Sequence, residues 1–190
     1  FGQETYGASY LIEGDELALV DPGTSDSVPR LLDWFRDSPL SLSDLSSVLL
    51  THIHLDHAGA TGHLVDELSD VKVYVHEVGA PHLIDPSDLL ASVKEATGDR
   101  FSEYGGLKPV PEERIVSMEG ESPLNIGSRE LMALPTPGHA PHHMVFLDKK
   151  TKDTINIEID ATIINYNNRE AIFAVIRDIT EQKEILETID

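Results

Sequence analysis

The sequence predicts a layered α/β or α+β domain, on three observations. Short apolar strands alternate with amphipathic helical stretches along the chain. The unusual residues, histidines above all, sit in the loops at strand ends. With 40% apolar residues among 190, the chain can build a real core of ordinary domain size.

The elements follow in order. "ASYLIEG" and "DELALVDPG" read as strands of a hairpin turning at Gly14-Asp15. In "SDSVPRLLDWFRDS", Val28, Leu31, Leu32 and Phe35 recur at helical spacing, predicting an amphipathic helix. "SSVLLT" and "VKVYVH" read as strands, the second with Val71, Val73 and Val75 alternating. "DPSDLLASVKEATG" predicts a helix from near Ser87 to Gly98. "RELMALPTPGH" is a strand running into a Pro/Gly loop, and "HMVFLD" is the strand after it.

Composition narrows the function. The formal charge of −20 repels phosphates, which argues against nucleic acid and anionic membranes as partners. Acidity of this degree keeps a protein hydrated in concentrated salt, so a halophilic setting is expected. With no cysteine, any metal must be held by His, Asp or Glu. No stretch approaches the roughly 18 apolar residues of a membrane span, and Phe1 opens no basic start followed by an apolar run. A cytoplasmic location is the expectation.

A seam is visible near residue 149. Residues 1–148 hold five Ile and one Asn, whereas the 42 residues of 149–190 hold ten Ile and four Asn. The first part carries 25 acidic against 8 basic residues, the second 9 against 6. Two units, 1–148 and 149–190, are expected.

The chemistry concentrates in "THIHLDHAGA", where His52, His54, Asp56 and His57 follow an apolar strand. An anchored strand end holds ligands more rigidly than a free loop. His52 and His54, two apart, point the same way in extended backbone, and Asp56 and His57 follow where the chain turns. That suits two neighbouring ions, one on each pair, with imidazole nitrogen and carboxylate oxygen as ordinary zinc ligands.

These residues resemble the HxHxDH signature of the metallo-β-lactamase superfamily. "LALVDPG" upstream resembles that family's strand and turn ending in Asp, and "LPTPGHAPHHMVFLD" resembles its later TPGH segment. The resemblance covers residues 1–148. It implies an α+β fold, a four-layer αββα sandwich, with a one- or two-ion site at the edge of the sheets. His52, His54 and His139 would hold the first ion, and Asp56 and His57 would belong to the second. Asp21 would brace the ligand loops without touching metal. His142 and His143 have no secure counterpart: they line the pocket or are polar residues at a strand start. His76 reads as structural or outer to the ligands, and His63 and His82 as solvated or capping.

The family pattern has two further ligands, a bridging Asp and a final His. No histidine follows His143. Asp160, 21 residues beyond His139, has the spacing of the bridging Asp, but "INIEID" alternates like a strand interior and no Gly precedes the Asp. The alternative is an exposed strand carboxylate.

The tail, "TINIEIDATIINYNNREAIFAVIRDITEQKEIL", resembles the end of a PAS sensor domain: two long antiparallel strands, then an exit into a signalling helix. Asn167-Asn168 fits the turn and Asp178 with Glu181 fits a helix cap. The expected fold is therefore a C-terminally incomplete sandwich with a PAS-like hairpin and helix, whose strands could drive self-association at exposed edges.

The expected function is metal-dependent hydrolysis of a small-molecule ester, thioester or lactone. A zinc-activated hydroxide would attack, with Asp56 orienting it. One or two Zn²⁺ are expected, with iron or manganese as alternatives. The helix around 87–97 with Phe101 and Tyr104 covers the pocket or is ordinary packing. The competing expectation is an impaired fusion or signalling fragment that binds metal without turnover.

Overall fold

The computed structural model describes residues 8–149, and the backbone of 157–166 and 169–178. The chain divides into two compact units, Phe1–Lys150 and Thr151–Asp190.

The first unit opens with β1 (Tyr10–Ile12) and β2 (Leu17–Val20), an antiparallel hairpin with Leu11 opposite Leu19. Helix α1 (Val28–Asp37) follows, with a proline in its first turn, where the missing N–H leaves no bond unmade. Strand β3 (Leu45–Leu49) leads through α2 (Leu55–Ala58) and α3 (Thr61–Glu67) to β4 (Lys72–His76). Next come α4 (Ala80–Ile84), α5 (Ser87–Thr97), α6 (Phe101–Tyr104) and β5 (Ile115–Met118). Helix α5 spans the predicted stretch and stops at Gly98, whose φ of +57° suits glycine. Strands β2 to β5 run parallel in the sheet order β1-β2-β3-β4-β5. A second sheet holds β6 (Ser122–Ile126), β7 (Arg129–Pro135) and β8 (Met144–Asp148), all antiparallel.

Strand alternation explains the layering. Leu17, Leu19, Val48, Val73 and Val75 face the helices and bury with Phe35, Leu64 and Leu83. Their neighbours Ala18 and Leu49, with Met118, face the other way and bury against Leu124, Ile126, Leu131, Ala133 and Met144 of the second sheet. Helices, five-stranded sheet and three-stranded sheet therefore stack as three layers. The fourth layer of the expected αββα sandwich is not present among the described residues. On the outer face of β8, Val145 and Leu147 remain 39% and 41% exposed.

In the second unit, β9 (Ile157–Tyr166) and β10 (Arg169–Asp178) pair antiparallel, from Tyr166 opposite Arg169 to Ile157 opposite Asp178. The Asn167-Asn168 turn and the helix expected after Asp178 lie outside the described residues, as does the side chain of Asp160. No helix of the described residues is long and apolar enough to cross a membrane.

Candidate metal centre

The site lies where the parallel strands end. Asp21 follows β2, residues 51–57 follow β3, and His76 closes β4. The β7–β8 connection, residues 136–143, meets them from the second sheet, and the Met144 N–H donates to the Thr51 carbonyl at 2.9 Å. Two separately packed sheets thus fix the two loops against each other.

His52, His54 and His139 converge. One ring nitrogen from each lies within 4.8 Å of the others. Nδ1 of His54 and Nε2 of His139 are 3.1 Å apart. Two imidazole nitrogens at that distance need a proton or a cation between them. Nε2 of His52 is buried with no hydrogen-bond partner. Leaving a polar atom so costs about 1–3 kcal/mol, and a bound cation would remove that deficit.

Asp21 organises the site from behind. It is buried, and its φ of +50° is the one left-handed backbone outside glycine among the described residues. Its Oδ1 accepts from the Thr51 N–H at 2.8 Å, and its Oδ2 accepts from the Thr51 hydroxyl at 2.7 Å. Because that hydroxyl proton is committed, Thr51 Oγ1, 2.9 Å from His52 Nδ1, accepts from the ring. His52 is thereby fixed with its proton on Nδ1 and its lone pair on Nε2. Asp21 Oδ2 also takes the His57 ring at Nδ1, 2.9 Å away. Asp21 therefore sets the tautomers of two histidines through its two carboxylate oxygens.

Asp56 and His57 stand beside the three-histidine group, outside its 4.8 Å circle. The Asp56 Oδ2 is 3.7 Å from His57 Nε2. Electrostatics separates the rings. Burial, joined by the imidazoles of His57, His54, His139 and His143, pushes His52 down to about 2. Burial and the His139 ring lower His54 as well. Burial also opposes protonation of His57, but the Asp21 hydrogen bond, with the charges of Asp21 and Asp56, outweighs it and raises that ring. His52 and His54 stay neutral and ligand-ready at physiological pH.

Two features escaped the sequence reading. Thr51 and Thr136 each hold a histidine through a hydroxyl, at 2.9 Å to His52 and 2.8 Å to His143. His142, expected either in the pocket lining or as a polar residue at a strand start, joins the cluster, its ring 6.1 Å from that of His54. Burial, with the rings of His54, His76, His82 and His143, pushes it down to about 4. His82, in the last turn of α4, is partly buried. His76 accepts from the Val78 N–H at 3.2 Å, a local structural role. His63 lies apart, beside Lys108 and Asp66. A threonine directly before His52 and another before PGH were the available signals.

The family model described as the metallo-beta-lactamase superfamily matches residues 2–155. The metallo-beta-lactamase fold-containing protein ST1585 of Sulfurisphaera tokodaii is 29% identical over 143 residues, 73% of this chain and 51% of that protein. YqgX of Bacillus subtilis, named a probable metallo-hydrolase, is 31% identical over 134 residues, 70% of this chain and 56% of its own length. The chain thus spans about half the length of the curated relatives it matches. The crystal structure of the archaeal ST1585 protein superposes with a TM-score of 0.59 at 28% identity, covering 74% of this chain and 54% of that one. Sequence match, three-layer core and histidine cluster agree: this chain belongs to the metallo-beta-lactamase superfamily.

Proposed function

We propose that the chain is a metal-dependent hydrolase acting on an ester, thioester or lactone carbonyl of a small molecule. The observation that carries this reading is the convergence of His52, His54 and His139, with a buried, unpartnered His52 Nε2. These three would hold a divalent cation, zinc by the chemistry of an all-imidazole set, with iron or manganese as alternatives. When bound, such a cation supplies Lewis acidity, bringing the pKa of a coordinated water to about 7 and polarising a substrate oxygen.

The protein's own residues do the rest. Asp21 and Thr51 keep the His52 lone pair on Nε2. Asp56, beside His57, accepts a hydrogen bond from the attacking water and orients it toward the carbonyl. Asp56 and His57, with Asp160 as a further candidate, would receive a second ion. The charge of −20 supports a substrate that is not strongly anionic, and a salt-rich setting.

A second reading is a PAS-like signalling fragment that binds metal without turnover, favoured by the long β9–β10 hairpin of the second unit. One experiment separates the two: elemental analysis after mild purification, followed by a hydrolysis screen over simple esters, thioesters and lactones. Hydrolase function requires bound metal and turnover, and His52→Ala and His139→Ala must abolish both. Metal without turnover would favour the signalling fragment. A metal-free protein, or undiminished hydrolysis by His52→Ala, would overturn the metallohydrolase reading.

A further inference from the structure

The segments that meet at the cation site share the sign of their charge. Residues 21–27, 51–57, 76–79 and 136–143 carry Asp21, Asp26, Asp56 and Glu77 but no Lys or Arg. Two contacts press the flanking segments against the ligand segment. The Gly23 N–H donates to the His57 carbonyl at 3.0 Å. Gly79 comes so close to Ile53, between His52 and His54, that a Cβ on it would lie 2.8 Å from Ile53 Cγ2. Glu77 and Val78, just before it, are exposed.

The basic residues of these strands stand at the far end. Lys72 opens β4, Arg114 precedes β5, Arg129 opens β7 and Lys149 follows β8. All four are engaged there. Lys72 Nζ donates to the Glu113 carbonyl at 2.9 Å, and Arg114 pairs with Asp70 at 3.9 Å. Arg129 pairs with Asp148 at 2.5 Å, and Lys149 with Glu130 at 3.9 Å. Strands of this length hold them about 13–20 Å from the site loops. Exposed charges reach only about 8–10 Å in physiological salt.

The local charge can be counted conservatively. Asp21 is buried against His57, and the two together are taken as neutral. Asp26, Asp56 and Glu77 then outweigh the two charges of a divalent cation by one. Arg30, in the first turn of α1, is more than offset by Glu119 and Glu121 after β5. Carboxylates alone would mark only a solvated edge. Here they surround Nε2 of His52, a residue 3% exposed whose Nε2 has no hydrogen-bond partner.

We propose that the substrate of this site is cationic: an ester or thioester bearing an amine or quaternary ammonium group, its carbonyl at the three histidines and its positive charge at the acidic rim that includes Asp26 and Glu77. This rests on the hydrolase reading above and narrows it. Water adds across the acyl–oxygen or acyl–sulfur bond, releasing the carboxylic acid and the cationic alcohol or thiol.

The test compares three thioesters on the zinc-loaded full chain: acetylthiocholine, its uncharged tert-butyl isostere and a carboxylate-bearing analogue. Released thiol is read with a disulfide chromophore, to which a chain without cysteine adds no background. In dilute buffer kcat/KM for acetylthiocholine should exceed that of the neutral isostere roughly 3- to 30-fold, the effect of one net charge about 8 Å away. The anionic analogue should be slowest. Molar salt should collapse the ratio, Glu77→Gln and Asp26→Asn should each reduce it, and Glu77→Lys should reduce it further. Amide relaxation by small nitroxides reads the same field without turnover. An ammonium nitroxide should relax Glu77, Val78 and Gly138 more than a carboxylate one does, relative to Ser128 and Arg129 at the far end. Equal kcat/KM for the cationic and neutral thioesters, a ratio indifferent to salt and to Glu77→Lys, or the same nitroxide preference at both ends would overturn the cationic substrate alone. Turnover of none of the three, with zinc bound, would overturn the hydrolase reading and this substrate class with it.

Discussion

Asp21 shows how a single carboxylate can govern a site it does not enter. Its two oxygens receive the Thr51 N–H, the Thr51 hydroxyl and the His57 ring, and its backbone sits at φ +50° to reach them. Asn tolerates that left-handed backbone, so Asp21→Asn keeps the turn while replacing one acceptor oxygen with a donor. The hydroxyl of Thr51 and the ring of His57 then lose their shared acceptor, and the His52 tautomer is no longer imposed. Zinc affinity should fall about 10- to 100-fold with the fold intact. Competition titration against a chromophoric chelator, beside a far-UV spectrum, measures both, and unchanged affinity would remove Asp21 from the site. Most of the residue-level site was legible in the sequence because residues 52–57 are local and TPGH has a matching pattern. The approach of His142 to the ring of His54 was not, since no spacing within one segment reports on rings brought together from separate sheets, nor was the Thr136–His143 hydrogen bond, which needs the loop to fold back on itself.

At the scale of elements, the site depends on two turns pressed together. The Gly23 N–H donates to the His57 carbonyl at 3.0 Å, and the Ala60 N–H donates to the Gly23 carbonyl at 2.8 Å. Gly59 permits that contact: a Cβ there would lie 2.9 Å from the Ser25 nitrogen and 3.0 Å from the Thr24 Cα, and 2.5 Å from the Leu55 carbonyl oxygen. All three are backbone atoms and cannot swing aside. Gly59→Ala should therefore destabilise the domain by about 1–3 kcal/mol, the usual cost of overpacking. It should also loosen the Asp21–His57 bond, visible as weaker zinc binding. A denaturant titration showing wild-type stability would mean the loops can part freely. The strands β2, β3, β4, β7 and β8 were readable because their apolar residues alternate or run together. The helices α2 and α4 and the strands β5 and β6, of four or five residues each, are too short for periodicity to separate from loop. Their structure comes from packing between the layers.

At the scale of the whole molecule, the histidines couple stability to pH. Burial, its effect added to by neighbouring cationic groups, lowers His52, His54, His63, His142 and His143 below the ordinary value of 6.5, and only His57 is raised. A lowered histidine is neutral in the folded chain while the unfolded chain takes up its proton. Stability from these five is full above 6.5 and is lost as pH falls below it, down to about 4 for His142 and about 2 for His52. The raised His57 works oppositely: its contribution is full below 6.5 and is lost as pH rises through its folded value. Asp15 and Asp85 are lowered from 3.8 by Ser128 and Ser87 respectively, so their contribution disappears only in stronger acid. Between pH 7 and 5 the five lowered rings therefore outweigh the one raised ring, and the metal-free protein should melt at progressively lower temperature on acidification. Zinc should steepen that slope, because protons and the cation compete for the same three nitrogens of His52, His54 and His139. Thermal melts from pH 8 to pH 5, with chelator and with zinc, follow both effects. A melting temperature that holds level or rises toward pH 5 without metal would mean that the lowered imidazoles are hydrated in the folded chain, and that His52 and His54 are not the buried, neutral rings a metal ligand set requires.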